Sequence, residues 1–234
     1  MAWLEHDYAD SDALIAAVSA QLRERCAAGL KQRGRAVLSL AGGRTPLPIY
    51  RTVAAEALDW ANVVAMPGDE RCVPHAHPAS NVGALRDAFA AAGGLCIESL
   101  TTADGHPEAS LAHARAMLAA HAEAFDAVVL GMGEDAHTAS LFPSAEALPA
   151  AMAKDANEDA FLLVPNPLPP EAPFPRITLG LARLLRTRSL HLIVTGARKR
   201  EVVRAAQTAH DPLRAPVSAL LHASGTVVHL HWSP

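Results

Sequence analysis

Apolar residues recur at helical spacing over residues 12–33, where Leu14, Ile15, Val18, Leu22, Cys26 and Leu30 share one side. Arg23, Glu24, Arg25, Lys31 and Arg33 fall mostly on the other, so the stretch predicts an amphipathic helix that Gly34 stops. The pattern then changes. Ala36-Val37-Leu38-Ser39-Leu40 is a short apolar run that reads as a strand, followed by "AGGRTP" at 41–46 and a helix starting near Leu47 with a proline in its first turn.

The same alternation repeats downstream. Val63–Met66 predicts a strand, Ser80 can cap a helix over 81–92, and 107–121 is helical with Leu111, Met117 and Leu118 inward. Val128-Val129-Leu130 enters the loop "GMGEDAHTASLFP" at 131–143. Further strands are expected at 161–164, 190–194 and 226–231, and helices at 178–186, 197–209 and 216–222. Val164–Pro175 is the one long irregular piece, and there is no internal repeat. Strands alternating with helices imply a mostly parallel sheet covered on both faces, because a parallel crossover needs a helix-length connection. The expected fold class is therefore α/β: a three-layer αβα arrangement, modified Rossmann-like. In such sheets ligands bind beyond the carboxyl ends of strands, so the loops after strands are where chemistry is to be sought.

Composition narrows the picture. With 234 residues, half of them hydrophobic and 19% charged, the chain can bury a substantial core, and it is read as one domain over 1–234. The net charge of −4 and the absence of a basic run longer than Arg198-Lys199-Arg200 argue against a nucleic-acid partner. A small anionic substrate needs only a few local cations. The first residues lack a basic segment followed by an apolar one, and no apolar run approaches the roughly 20 residues of a membrane span. The expectation is a cytoplasmic protein without a membrane partner. Cys26, Cys72 and Cys96 are odd in number and lack C-x-x-C spacing, which suggests neither a disulfide framework nor a Cys-rich zinc site. H-E-x-x-H is absent, and His75-Ala76-His77, beside two prolines, is the nearest thing to a metal pair; no metal is expected.

Four loops after strands carry the candidate chemistry. In "AGGRTP", Gly42 and Gly43 can bring bare backbone N–H groups toward an anion, with Arg44 and Thr45 adding donors; the same glycines also suit a tight strand-to-helix turn. No Walker A pattern is present, which argues against a nucleoside triphosphate. "PGDERCVPHAHPASN" at 67–81 concentrates Asp69, Glu70 and Arg71 at a sheet end, and reads equally as a solvated charged loop. "GMGEDAHTASLFP" also fits the dinucleotide fingerprint G-x-G-x-x-G/A. That reading fails on context, since Pro143 follows too soon for a long helix and no second strand delivers the acidic residue. What remains is His137 beside Asp135. Histidine titrates near neutrality and can take a proton from water and return it to a leaving group, whereas a serine nucleophile would call for a G-x-S-x-G elbow that is absent. "TGARKREVV" places Lys199 in the first turn of a helix, either facing an anion or on the wet side, and Arg176 is similarly ambiguous.

Taken in order, "AGGRTP", "DERCVPHAHPASN", "GMGEDAHTASLFP", Arg176-Ile177-Thr178 and "TGARKREVV" resemble the 6-phosphogluconolactonase family, which is related to glucosamine-6-phosphate deaminases and isomerases. The resemblance covers nearly the whole chain, and "HTASLFP" is its most specific piece, favouring the lactonase over the deaminase branch. It implies hydrolysis of 6-phospho-D-glucono-1,5-lactone to 6-phosphogluconate, in the oxidative branch of the pentose phosphate pathway, without metal or organic cofactor. It also implies His137 as general base, Asp135 as its orienting partner, and Arg71 on the phosphate or the oxyanion. Gly42, Gly43, Arg44, Thr45, Asp69, Arg176 and Lys199 would then bind the substrate and its phosphate. A sugar-phosphate isomerase or deaminase, or a non-catalytic sugar-phosphate-binding protein, are the alternatives. Two positions depart from the family pattern: Ala136 stands where Gly-x-Asp-Gly-His has glycine, and Arg44 where serine is common. If the backbone at 136 is left-handed, alanine costs roughly 1–2 kcal/mol there.

Overall fold

The computed structural model describes residues 3–234. In chain order its elements are β1 (Trp3–Asp7), α1 (Ser11–Arg33), β2 (Ala36–Leu40), α2 (Leu47–Ala54), β3 (Val63–Pro67), β4 (Asp69–Arg71), α3 (Asn81–Ala88) and β5 (Cys96–Ile97). There follow α4 (Pro107–Ala120), β6 (Ala127–Gly131), α5 (Leu148–Ala151), β7 (Ala160–Leu163), β8 (Arg176–Leu179), α6 (Leu181–Leu185), β9 (Leu190–Thr195), α7 (Ala197–Thr208), α8 (Val217–Leu221) and β10 (Val228–Ser233).

Among the described residues, seven strands pair in the order β1-β10-β9-β6-β2-β3-β5, and every neighbouring pair is parallel. Alternate side chains point to opposite faces of a strand, and both faces here are apolar. Val128 and Leu130 of β6 join one buried cluster with Met117 and Leu118 of α4 and Val203 of α7. Ala127 and Val129 join another with Leu14, Val18 and Leu22 of α1 and Ile49 of α2. Helices on both faces give the expected three layers. Burying each of these valine, leucine, isoleucine and methionine side chains is worth about 1.5–3 kcal/mol. The first helix matches its sequence pattern closely: the Asp10 carboxylate accepts the Ala13 N–H at 2.8 Å, and Gly34, at φ 70°, donates its N–H to Leu30 O.

Sequence and structure part company in a second, three-stranded antiparallel sheet, β4-β8-β7. Asp69–Arg71, expected in a loop, is strand β4, because its backbone pairs with β8. The helix expected over 178–186 is instead β8 followed, after Gly180, by the short α6: Ile177 and Thr178 lie between β4 and β7, and those ladders outweigh the helical spacing of the leucines. The segment near 161–164 is a strand, but in this smaller sheet. The helix expected over 81–92 ends at Ala88, ahead of the turn at Gly93 and Gly94. β1 was not foreseen; it pairs with β10 from the other end of the chain.

Polar groups are also locked inside. The buried Asp126 carboxylate accepts the Val37 N–H at 2.9 Å and pairs with Arg33, so a cation expected on the wet side of α1 ties the helix to the sheet. Under α1, four histidines stack across three strands: His6 of β1, His229 and His231 of β10, and His191 of β9. Hydrogen bonds join Tyr8 to His231 (2.9 Å), His231 to His191 (3.0 Å), His191 to Ser189 (2.8 Å) and His6 to His229 (3.1 Å).

Candidate active site

From β2 the chain moves to β3 and β5 on one side and returns as β6 on the other. The crevice beyond β2 and β6 is therefore a point where strand order reverses, the usual ligand position in an open α/β sheet. A cavity of about 1160 Å³ opens there, walled by the loops after β2, β6 and β9 and by the edge of the small sheet. Ten of the residues singled out in the sequence line it: Gly42, Gly43, Arg44, Thr45, Asp69, Arg71, Asp135, His137, Arg176 and Lys199.

The loop after β6 holds His137 by its side chain and its backbone. Asp135 Oδ1 accepts His137 Nδ1–H at 2.6 Å and the His137 backbone N–H at 3.3 Å. With the proton on Nδ1 shared with a carboxylate, Nε2 carries the lone pair and is the ring atom free to act as a base. Burial by itself raises the Asp135 carboxyl, but the hydrogen bond and charge of His137 outweigh it and hold it below the ordinary carboxylate value. Gly133 is required for space: a Cβ there would run into the imidazole and the Asp135 carboxylate.

Ala136 sits at φ 64°, in the left-handed region. The turn closes all the same. Gly133 N–H donates to His137 O at 3.0 Å, Ala136 N–H donates to Gly133 O at 3.1 Å, and Val217 N–H donates to Ala136 O at 3.1 Å. The Ala136 methyl is buried in the core. Ala136→Gly would relieve backbone strain of about 1–2 kcal/mol, lose a buried methyl worth about 0.8 kcal/mol, and free the unfolded chain by about 0.4–1 kcal/mol. These nearly cancel, so the expected result is a urea unfolding free energy within about 1 kcal/mol of the parent. A larger loss would show that the methyl contributes more than its area.

The small sheet supplies the arginines. Arg71 of β4 and Arg176 of β8 are directly paired in register, an arrangement of like charges that destabilises a strand pair unless something offsets it. Arg71 Nη1 donates to Ala79 O at 2.6 Å and Arg176 Nη2 to Ala172 O at 2.9 Å, while the buried Nε of each has no hydrogen-bond partner among the described residues. Arg176 is only 4% exposed, and burial lowers its pKa, with Asp69 opposing and Arg71 reinforcing. Asp69 lines the cavity, but its carboxylate is bonded to the Ser140 hydroxyl and the Asn81 amide. The Asp69 charge acts on Arg176 but its carboxylate is already engaged, and neither guanidinium forms an ion pair with a carboxylate among the described residues, an arrangement suited to receiving an anionic group from a ligand.

Gly42 lies against the Asn81 amide so closely that a Cβ would overlap it, and Gly43 takes φ 88°. The Gly-rich turn therefore needs glycine once for space and once for dihedral, and both brings backbone to the cavity. Lys199 comes from the first turn of α7, after Gly196 at φ 85°.

Sequence reasoning set Glu70 beside its neighbours at the site, yet it is fully buried and turned away. It accepts the N–H groups of Arg71 (2.7 Å), Asn81 (2.7 Å) and Val82 (2.6 Å), fixing the start of α3. Burial pushes its carboxyl up, partly offset by those donors. Neither Asn81 nor the wall formed by residues 165–172 was anticipated. The density of prolines in that stretch was the available signal, since Pro-rich backbone is stiff enough to make a wall. His75 and His77 are otherwise engaged, His75 with Ser99 and Thr101, His77 accepting the Ala79 N–H.

The chain matches the sequence pattern of the family described as glucosamine-6-phosphate isomerases/6-phosphogluconolactonase over residues 9–232. It is 33% identical to a 6-phosphogluconolactonase of Pseudomonas putida, over 98% of this chain and 92% of that one. With a Nostoc sp. protein of the same name it shares 36% identity over 82% of this chain and 79% of the relative. The crystal structure of a 6-phosphogluconolactonase from Shewanella baltica superposes with a TM-score of 0.92 at 29% identity, covering 99% of this chain and 98% of that one. Fold, site loops and these likenesses agree, and the chain belongs to the glucosamine-6-phosphate isomerase/6-phosphogluconolactonase family.

Proposed function

We propose that this protein hydrolyses 6-phospho-D-glucono-1,5-lactone to 6-phospho-D-gluconate, with His137 as general base and acid. The observation that carries the reading is the Asp135–His137 hydrogen bond, which leaves Nε2 as the basic atom in a cavity it shares with a glycine turn and two arginines. Water attacks the lactone C1 while His137 Nε2 takes its proton; the C1 oxyanion is met by Arg71. Collapse of the tetrahedral intermediate breaks the bond from C1 to the ring oxygen, and the imidazolium returns the proton to that oxygen. Water supplies the atoms added across the broken bond, and His137 carries the proton between them. Such acid–base assistance is typically worth ~10²–10⁴ in rate. Gly42, Gly43, Arg44, Thr45 and Lys199 are assigned to the phosphate, with Arg176 beside Arg71 on the cationic wall and Asp69 holding that wall in place through Ser140.

In this reading the chain works as one domain, since the cavity draws on residues from Ala41 to Lys199. Among the described residues no helix is long and apolar enough to cross a membrane, and all three cysteines are free thiols, which supports the cytoplasm as its place of action. The test is acid release from freshly generated lactone, corrected for spontaneous hydrolysis, run beside ammonia release from glucosamine 6-phosphate. Acceleration of the first without the second is expected. Ammonia release alone would assign the chain to the deaminase branch, and binding without turnover would make it a sugar-phosphate-binding protein.

A further inference from the structure

Asp135 holds the His137 imidazole at one ring atom, which leaves the ring free to swing about that hydrogen bond. A second contact removes this freedom. The Phe142 ring lies 4.1 Å from the imidazole, centroid to centroid, with the planes inclined by 27°. Phe142 is itself buried, and its backbone N–H donates to Ser140 O at 3.1 Å, next to the Ser140 hydroxyl that bonds Asp69. The Arg176 guanidinium carbon lies 4.8 Å from the same aromatic centroid, and Arg176 is gripped by the Ala172 carbonyl of the Pro-rich wall.

We infer that Phe142 is a positioning residue for the reaction, fixing the plane of the His137 ring and favouring its imidazolium form as that charge develops. The face of an aromatic ring is electron-rich and attracts a neighbouring cation. A neutral imidazole gains little from it; the imidazolium formed as water attacks gains more. An interaction that strengthens between ground state and transition state raises kcat and leaves substrate binding nearly untouched. Phe142 thereby gives the loop a reason for an aromatic at this position beyond filling the core.

The inference rests on His137 being the base, and the experiment separates the two claims. Phe142→Met keeps a similar apolar volume without the π face, and Phe142→Tyr keeps the ring. With freshly generated 6-phosphogluconolactone, Phe142→Met is expected to lower kcat about tenfold, with KM within about twofold of the parent, while Phe142→Tyr recovers most of the rate. Parent-like kcat in Phe142→Met, or Phe142→Tyr no better than Phe142→Met at equal Tm, overturns the positioning role. Should Phe142→Met not fold, the parent decides: the His137 ring protons, identified by their loss in His137→Gln, should show an upfield ring-current shift in NMR, and their appearance at ordinary positions overturns the stack. If His137→Ala keeps parental turnover, the base assignment itself falls.

Discussion

His137→Ala is expected to lose about 10²–10⁴ of the catalysed rate of lactone hydrolysis, measured by pH-stat after subtraction of the spontaneous reaction. The substitution removes what is, among the described residues, the only ring nitrogen presented to the cavity as a base by a carboxylate partner, and leaves the cationic wall and the glycine turn in place. Substrate binding should therefore change far less than kcat, because the interaction lost is one made mainly in the transition state. Asp135→Asn should also lower kcat. It keeps a polar partner near Nδ1 but gives up the charge that stabilises the imidazolium, and it can favour the wrong tautomer. Turnover in His137→Ala equal to that of the parent would remove the proposed base.

A large loss of stability is expected between pH 7 and pH 5, at a place remote from the cavity chemistry. His191 and His231 are fully enclosed between β9, β10 and α1, and burial, reinforced by their histidine neighbours, pushes them down to about 3 and about 2. His229 is lowered for the same first reason. His6, Tyr8 and Arg25 complete the group: His6 and Tyr8 bond to its members, and the Arg25 charge further disfavours protonating His191 and His229. In the unfolded chain these histidines titrate near 6.5. Below that pH the unfolded state binds protons that the folded state refuses, so stability is complete above about pH 7 and falls as pH drops through the window toward 3. At pH 5 the loss is on the order of 2 kcal/mol for each of the two most buried rings, about 4 kcal/mol together. Glu70 works in the opposite sense, its raised carboxyl taking up a proton in the folded state first, but it is one group against several. Urea midpoints measured across pH 5–7.5 should show this slope, reduced in His231→Asn. A flat profile would mean that the stack opens to water.

The parallel layer could be read from the chain because each of its elements carries a local signal. α1 has an apolar stripe, an acidic N-cap and a glycine stop; β2, β6 and β9 are short apolar runs ending in glycine-containing loops. Such loops gather at one end of a sheet, which singles out those carrying Gly42, Arg71, His137 and Lys199, while the family resemblance is what joins these residues into one site. In the small sheet only β7 carries a local signal, the apolar run near 161–164. β4 is Asp-Glu-Arg, three charged residues whose extended form comes from pairing with β8, distant along the chain, and β8 itself merges in sequence with the leucines of α6. The cross-strand pairing of Arg71 with Arg176 and the histidine stack are products of long-range register, which no window of neighbouring residues contains. Ala136 lies between these cases: its position in the loop raised the question of a left-handed turn, and only the backbone angle answered it.

The central claim, that one cavity holds the phosphate at the glycine turn while His137 meets the lactone carbon, is tested most directly by a crystal structure with the product, 6-phosphogluconate. The expected result has the phosphate on the backbone of Gly42–Thr45 with Lys199, and the C1 carboxylate within hydrogen-bond reach of His137 Nε2 and Arg71. A product bound in the reverse direction, or with C1 out of reach of His137, would contradict it.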